Sequence, residues 1–325
     1  MIKKLNSLKA VTQSMKISIF EHGVTSNLSV RKVLEIPMLP WGLLKEKWLT
    51  AQATQNADKE KIKPISIVVI IKNEGLYIKE WIEYHKIIGI KKFYIYDNNS
   101  TDNTYKLLKP YIERHQVIYK KLNGKIRQLD AYNDALKYGR KNHELLLMID
   151  ADEFLFIKNP NIDLEKTINE FFLKNPQVGG IGINWLIFGS SHYLHKPQGL
   201  VTQNFIYRSK FMFDVNYHIK TLCDPTKVAG FLNPHYPEYL SGYYSVNVDE
   251  KKINGAFSKP IIDPPIRINH YFTKSKEEFM KKRQRGMADN NRIRNYTDFE
   301  KHDRNDVLDK SMLRYSNQMK DIFGK

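Results

Sequence analysis

The chain has one cysteine, Cys223, so no internal disulfide can form. The fold must then rest on its core, as is usual in a reducing compartment, and a cytoplasmic location is expected. Long apolar runs are also missing: nowhere do the roughly twenty consecutive apolar residues that a membrane-crossing helix needs occur. The opening stretch, MIKKLNSLKAVTQSMKISIF, lacks the continuous apolar segment of a secretory signal. There is no internal repeat and no low-complexity tract. At 325 residues the chain has room for one large α/β domain or two smaller ones, which excludes a small stapled scaffold.

What is present in excess is positive charge. The formal net charge is +17, with +6 before Pro64, +6 from Pro64 to Thr273 and +5 from Lys274 onward. Such a balance favours phosphate-bearing partners, whether nucleotide, nucleic acid or anionic lipid. No acid precedes Glu21, and Ile2, Leu5, Leu8, Val11 and Met15 recur at near-helical spacing. That pattern fits a basic amphipathic helix on an anionic membrane, and equally a helix packed on the domain. Trp41 and Trp48 are read in the same two ways, as core or as interface.

The stretch that organises the chain is Glu144 to Ile157, ELLLMIDADEFLFI. Alternation along a strand would put Asp150 and Asp152 on one side of the backbone, where they could share a divalent cation. Three acids beside so much Leu, Ile and Phe need a metal, a partner or solvent to meet their charge.

The surrounding pattern alternates. Pro64 precedes ISIVVII, a β-branched run typical of a buried parallel strand. KNEG then turns into a helix from Leu76 to Gly89, and Phe93 to Tyr96 leads through DNNSTDNT into a helix from about Asp102 to Arg114. A strand at Val117 to Tyr119, a helix at Ile126 to Tyr138 and a strand at Leu145 to Ile149 follow. This alternation predicts an α/β fold with a mainly parallel, Rossmann-like sheet whose ligands sit beyond the carboxyl ends of the strands. Glu74, Asp97 and Asp150 to Glu153 all fall there. Further on, a helix near Leu164 to Leu173 and a strand at Gly180 to Phe188 are expected, then irregular segments to about Pro265 and a helical start to the tail.

Taken in order, IVVIIKNEG, YDNNSTDNT, GKIRQLDAYNDAL and MIDADEF resemble the nucleotide-sugar half of a GT-A glycosyltransferase of the family 2 type. EWIEYHKIIGI and the late INHYFTKSKEEFMKKRQRG bring it nearer the bacterial family 2 and family 92-like branch. The resemblance covers roughly Ile65 to Asp289. It implies a basic N-terminal extension over residues 1–63, a GT-A catalytic domain over 64–273, and a basic helical C-terminal segment over 274–325. Within the catalytic domain, 64–157 is the nucleotide-sugar half and 158–273 the acceptor half.

The resemblance also implies roles. Asp97 would read the uracil base of a UDP-sugar, with Lys72, Asn73 and Glu74 close to the nucleotide, although an Asx cap is the structural alternative for Asp97. Asp102 fits a helix cap better than a ligand. Lys125 and Arg127 would lie near the diphosphate. Asp152 would hold Mn2+ or Mg2+, with Asp150 near the ribose or the metal, His270 as a late metal ligand, and Glu153 orienting the acceptor or pairing with a basic side chain. Lys274, Lys281, Arg283 and Arg285 would close over the diphosphate. Apart from the resemblance, His218, Lys220 and His235 share one polar region and are read in two ways, as contacts to acceptor or diphosphate or as loop residues with structural hydrogen bonds.

Family 2 and family 92 enzymes invert, so a carboxylate should deprotonate the acceptor hydroxyl. No acidic pair stands between Gly189 and Pro260, which leaves Glu238, Asp224 and Asp214 as base candidates. The implied partners are a UDP-hexose and a glycan or lipid-linked glycan of the cell surface, with contact at the inner face of the cytoplasmic membrane. A nucleic-acid binder would also explain the charge, but no recognised binding motif is present and no specific nucleic acid is expected. A metal-dependent phosphohydrolase could use the same acids.

Overall fold

The computed structural model describes residues 39–56, 62–284 and 295–323. The N-terminal amphipathic segment and Arg285 lie outside these residues. Helix α1 (Leu39–Asn56) leads to β1 (Ile65–Ile71), α2 (Ile78–Ile87), β2 (Lys92–Asp97), α3 (Thr104–Glu113), β3 (Val117–Lys121), α4 (Gln128–Asn142) and β4 (Leu145–Met148). Strands β3, β2, β1 and β4 lie side by side in that order, all parallel. Every residue of β1 is buried, as a β-branched run covered on both faces should be.

The second half turns mixed. It comprises β5 (Glu153–Ile157), α5 (Leu164–Lys174), β6 (Val178–Ile187), β7 (Tyr207–Arg208), β8 (Ile219–Cys223), β9 (Val228–Phe231), β10 (Pro237–Tyr239), β11 (Tyr244–Asn247), β12 (Lys252–Ile253) and β13 (Ile266–His270). Strand β8 runs antiparallel between β4 and β6. Strand β13 pairs parallel with β6 and antiparallel with β5. Because β8 runs against its neighbours, its first residues reach the edge where β4 ends, and its last residues reach the opposite edge.

Beyond β13 come α6 (Lys276–Gln284), α7 (Tyr296–His302), β14 (Val307–Leu308) and α8 (Ser316–Phe323). Strand β14 pairs with β7, and Met312, Tyr315 and Met319 join the main hydrophobic core. Among the described residues, packing onto this core therefore extends past residue 274.

Helix α2 fixes the start of β5. Trp81, Tyr84 and His85 have no exposed surface. Trp81 Nε1 donates to the Glu153 carbonyl at 2.8 Å and Tyr84 Oη to the Leu155 carbonyl at 2.8 Å. His85 Nε2 accepts from the Leu155 amide at 3.2 Å, so its proton sits on Nδ1 and goes to the Trp81 carbonyl. Burial lowers the His85 pKa to about 3, so the ring stays neutral. Truncating Trp81 to Ala would cost about 3–5 kcal/mol.

Candidate active site

Strand β4 ends at Met148, and Asp150 to Asp152 form a turn before β5. The two carboxylates therefore do not project side by side from one strand as alternation predicted; each meets its own lysine. Asp150 Oδ2 accepts from Lys220 Nζ at 2.9 Å and Oδ1 from Gln128 Nε2 at 3.0 Å. Asp152 Oδ2 accepts from Lys282 Nζ, and its Oδ1 lies 3.6 Å from His270 Nε2. Burial pushes the Asp150 carboxyl up, but Lys220, through its charge and its hydrogen bond and with help from His235, brings it below its usual range. Burial acts likewise on Asp152, and Lys282 and His270 hold it well below.

Glu153 has no exposed surface. Its Oε2 accepts from the Asp150 amide at 2.9 Å, which ties the turn together. Its Oε1 has no hydrogen-bond partner among the described residues and lies 3.7 Å from Lys220 Nζ and 3.9 Å from His270 Nδ1. Burial raises its pKa well above the carboxylate range, with Lys220 opposing only in part. Glu153 thus holds the turn from below.

At the ends of β1 and β2, the KNEG and DNNSTDNT segments interlock. Asn73 adopts a left-handed conformation, φ 54°, donates its amide to Ser100 Oγ at 2.9 Å and accepts from the Thr101 amide at 2.7 Å. The Glu74 amide donates to Thr104 Oγ1 at 3.0 Å and the Gly75 amide to Asp102 Oδ2 at 3.0 Å. Asp102 Oδ1 accepts from the Thr104 amide at 3.0 Å, but the N-cap of α3 is Asn103, so Asp102, one position earlier, ties the loop to the first turn and is not the N-cap expected from the sequence. Asp97 is buried; Oδ1 accepts from the Ser100 amide at 2.7 Å and Oδ2 from Tyr119 Oη at 2.6 Å. The Asx alternative is therefore realised, and any base contact would use the remaining lone pairs. Glu74 is buried and Lys72 exposed beside it.

Other expected residues distribute differently. Lys125 is exposed, and Arg127 turns back to Asp130 at 2.7 Å and the Asn123 carbonyl at 3.1 Å. Lys281 is exposed and pairs with Glu277 at 2.6 Å, so on α6 the side chain that reaches Asp152 is its neighbour Lys282. Arg283 is half-buried on the same helix. Lys274 is buried with its ammonium 3.9 Å from the Tyr77 ring centroid.

Of the base candidates, Asp224 is not at the site. It follows the carboxyl end of antiparallel β8, at the far edge of the sheet. There it is buried, binds Lys63 at 2.6 Å and caps the turn Pro225–Lys227 through Thr226. Asp214 is exposed and lies 3.4 Å from Lys301. Glu238 lies half-buried on β10, opposite Gly230 of β9.

Among the described residues, no three His, Cys, Asp or Glu side chains already converge to hold a metal. Asp152 and His270 are adjacent, whereas Asp150 is taken up by Lys220 and Gln128. Asp152 and His270 thus fit a hard divalent cation, if the remaining ligands come from water and phosphate oxygens. Asp150 is better described as their charged neighbour than as a third ligand.

Lys220, expected at the acceptor or diphosphate, is instead engaged by Asp150, and Lys282 is not among the residues the sequence singles out. Lys220 lies in the strand IKTLC, and a lysine inside an apolar strand signals a buried acid facing it. No comparable signal distinguishes Lys282 from the other cations of its helix.

The description "Glycosyltransferase family 92" matches residues 68–322. A glycosyltransferase family 92 protein of Ricinus communis is 25% identical over 232 residues, covering 70% of this chain and 39% of the relative. One of Oryza sativa subsp. japonica is 26% identical over 151 residues, covering 46% and 26%. The chain thus spans well under half the length of both relatives. Among solved structures, TarS of S. aureus in complex with UDP is 17% identical, covers 46% of this chain and 39% of its own, and has a TM-score of 0.31. Glucosyl-3-phosphoglycerate synthase of Mycobacterium tuberculosis, with Mn2+, UDP and glucosyl-3-phosphoglycerate, is 14% identical, covers 42% and 48%, and has a TM-score of 0.25. Both structural likenesses are too distant to carry a functional argument.

Proposed function

The chain belongs to glycosyltransferase family 92, and from that premise we propose that it moves a hexose from a UDP-sugar to a hydroxyl of a glycan acceptor, in cell-surface polysaccharide or lipopolysaccharide synthesis. The observation that supports this best is that the interlocked loops after β1 and β2 and the acid turn after β4 lie at the same edge of a parallel sheet. Ligands of such sheets lie in that crevice.

In this reading the nucleotide lies along the Lys72–Glu74 turn and the Asp97 loop, and the diphosphate approaches Asp152. Lys282 and Lys274 supply positive charge there, with Arg283 and Lys281 further along the same helix. Mn2+ or Mg2+ would be held by Asp152 and His270, and when bound it supplies Lewis-acid neutralisation of the charge on the leaving diphosphate. The acceptor oxygen attacks the anomeric carbon as the bond to the diphosphate oxygen breaks, and the bonding pair leaves with the diphosphate. The hydroxyl proton passes to a carboxylate on the opposite sugar face, so the anomeric centre inverts. Asp214 and Glu238 are the remaining candidates for that carboxylate. The buried, unbridged Cys223 suits a cytoplasmic site of action, and the basic chain suits an anionic inner membrane face.

Calorimetry against a panel of nucleotide sugars, with and without Mn2+, tests this reading. A UDP-hexose should bind in the micromolar range with Mn2+ and more weakly without it, and Asp152→Asn should lose the metal-dependent part. A variant that binds and hydrolyses donor like the wild type would remove Asp152 from the metal site. Salt-sensitive binding of arbitrary DNA with no nucleotide-sugar affinity would favour the nucleic-acid alternative.

A further inference from the structure

Beside the acid turn runs a line of stacked rings that the reading above leaves unused. Trp185 on β6 packs against His270 with ring centroids 4.4 Å apart. His218 stacks on Trp185 at 4.8 Å and 20°, and Phe257 meets His218 at 4.6 Å. His235 closes the side of the line, 5.1 Å from Trp185 and 5.5 Å from His218. Phe257 is 60% exposed, while Trp185, His218 and His235 are half-buried and His270 is buried. The line therefore leads from solvent to His270, and from there to Asp152.

The backbone holds these rings in place. Trp185 lies in register with Ile268 of β13, and a β-bridge joins His218 to Phe257. The imidazoles are fixed by their own chain: His218 Nδ1 is 3.0 Å from the Val215 carbonyl and His235 Nδ1 is 2.9 Å from the Ile219 carbonyl. Trp185 Nε1 has no hydrogen-bond partner among the described residues. Lys220, 6.0 Å from the Trp185 ring centroid, is already engaged by Asp150.

Phe257, the outermost ring, is open to solvent, so the line can be reached from outside. A pre-aligned line of rings, open at one end and leading to a polar centre, matches a pyranose: C–H faces lie on ring faces, and hydroxyls bond to indole and imidazole edges. A phosphate or carboxylate would meet the electron-rich faces of the same rings unfavourably. We propose that the line Phe257–His218–Trp185 is the acceptor subsite and takes a neutral pyranose ending a glycan chain, with the attacking hydroxyl toward the Asp150–Asp152 turn. This rests on the glycosyltransferase reading and deepens it, because it selects a neutral sugar over a phosphate-bearing or acidic acceptor.

Saturation-transfer NMR with UDP and Mn2+ present tests the subsite. The probes are methyl β-galactoside, methyl β-glucoside and methyl α-mannoside, with glycerol 3-phosphate as the anionic comparator. The wild type should give signal with at least one methyl glycoside and less with glycerol 3-phosphate. Phe257→Ala and His218→Ala should each weaken glycoside binding by about fivefold or more and leave UDP affinity within about twofold. His218→Phe, which keeps a ring, should retain glycoside binding. Unchanged glycoside affinity in both alanine variants overturns the proposal, as does a wild type that binds UDP but no glycoside. Glycoside binding that depends on Phe257 in a protein with no UDP affinity would support the subsite and overturn the donor reading.

Discussion

Lys220 Nζ donates to Asp150 Oδ2 at 2.9 Å from a side chain with no exposed surface. Burial lowers its pKa, but Asp150 and Glu153 more than reverse this and raise it. The ammonium therefore stays charged, holds the Asp150 carboxylate and lies 3.7 Å from Glu153 Oε1. Lys220→Met removes the cation and leaves Asp150 and Glu153 without it. The expected loss is about 3–5 kcal/mol in urea unfolding at neutral pH, the cost of breaking a buried pair from one side. A loss below about 1 kcal/mol would place the pair among weak surface bridges instead.

Asp224 gives the complementary case, a sequence candidate for catalysis that works as a structural anchor. Its carboxylate receives Lys63 at 2.6 Å and Thr226 Oγ1 at 2.7 Å at the far edge of the sheet. Asp224→Ala should lower stability by about 1–3 kcal/mol through the groups it leaves unsatisfied. Donor affinity measured by calorimetry below the unfolding transition should not change. A large rise in UDP Kd with unchanged melting would reverse this assignment.

Lys282 sits on Asp152 Oδ2, the other oxygen of the carboxylate whose Oδ1 faces His270 and would hold the proposed metal. Without nucleotide, cation and lysine compete for the same carboxylate. Lys282→Ala should therefore bind Mn2+ more tightly than the wild type in the absence of nucleotide, as read by the electron paramagnetic resonance of free Mn2+. With Mn2+ saturating, the same variant should bind UDP more weakly, because a diphosphate contact is lost. Equal Mn2+ affinity in both proteins would count against Asp152 as a ligand.

Glu278 couples the helix that carries Lys282 to pH. Burial raises its pKa from 4.5 to about 7, and Tyr77 Oη and Ser275 Oγ donate to it. The folded state thus holds this proton more tightly than the unfolded chain. The group's contribution to stability is full below about 4.5 and is lost as pH rises through about 7. Melting temperature should fall across that window, and Glu278→Gln should flatten the fall. An unchanged slope in the variant would assign the pH dependence to other groups.

The β-α units were legible because β1, β2 and β4 are short apolar runs between turn residues, and both faces of a parallel sheet must be covered. The edge that gathers Glu74, Asp97 and Asp150 followed from that pattern alone. What the pattern could not give was direction and partner. Antiparallel β8 sends Asp224 to the wrong edge and brings Lys220 to the right one, and nothing in IKTLCD marks which way the strand runs. Strand alternation does not carry past Ile149 to the acids, and the apolar residues on either side, Ile149 and Phe154, hide the turn between β4 and β5. Lys282 was unreadable for a different reason: it stands among several cations, and only the docking of α6 selects it.

Helix α1 bears on the proposed membrane contact. Leu44 and Trp48 are 63% and 58% exposed, with Trp41 53% exposed one turn before Leu44, while Leu49 is buried against Ala229 and Leu240. One side of the helix thus anchors to the domain and the other offers large apolar groups on a chain of charge +17. Large interfacial side chains beside basic charge favour anionic bilayer surfaces. The protein should co-sediment with vesicles containing phosphatidylglycerol and much less with neutral vesicles. Burying Leu44 or Trp48 would contribute about 1.5–3 kcal/mol each at full insertion, so the double change Leu44→Ala, Trp48→Ala should lower vesicle affinity at least about tenfold. Raising the salt should weaken binding further by screening the basic charge. If the double variant binds like the wild type while salt alone removes binding, the contact is electrostatic and lies elsewhere on the chain.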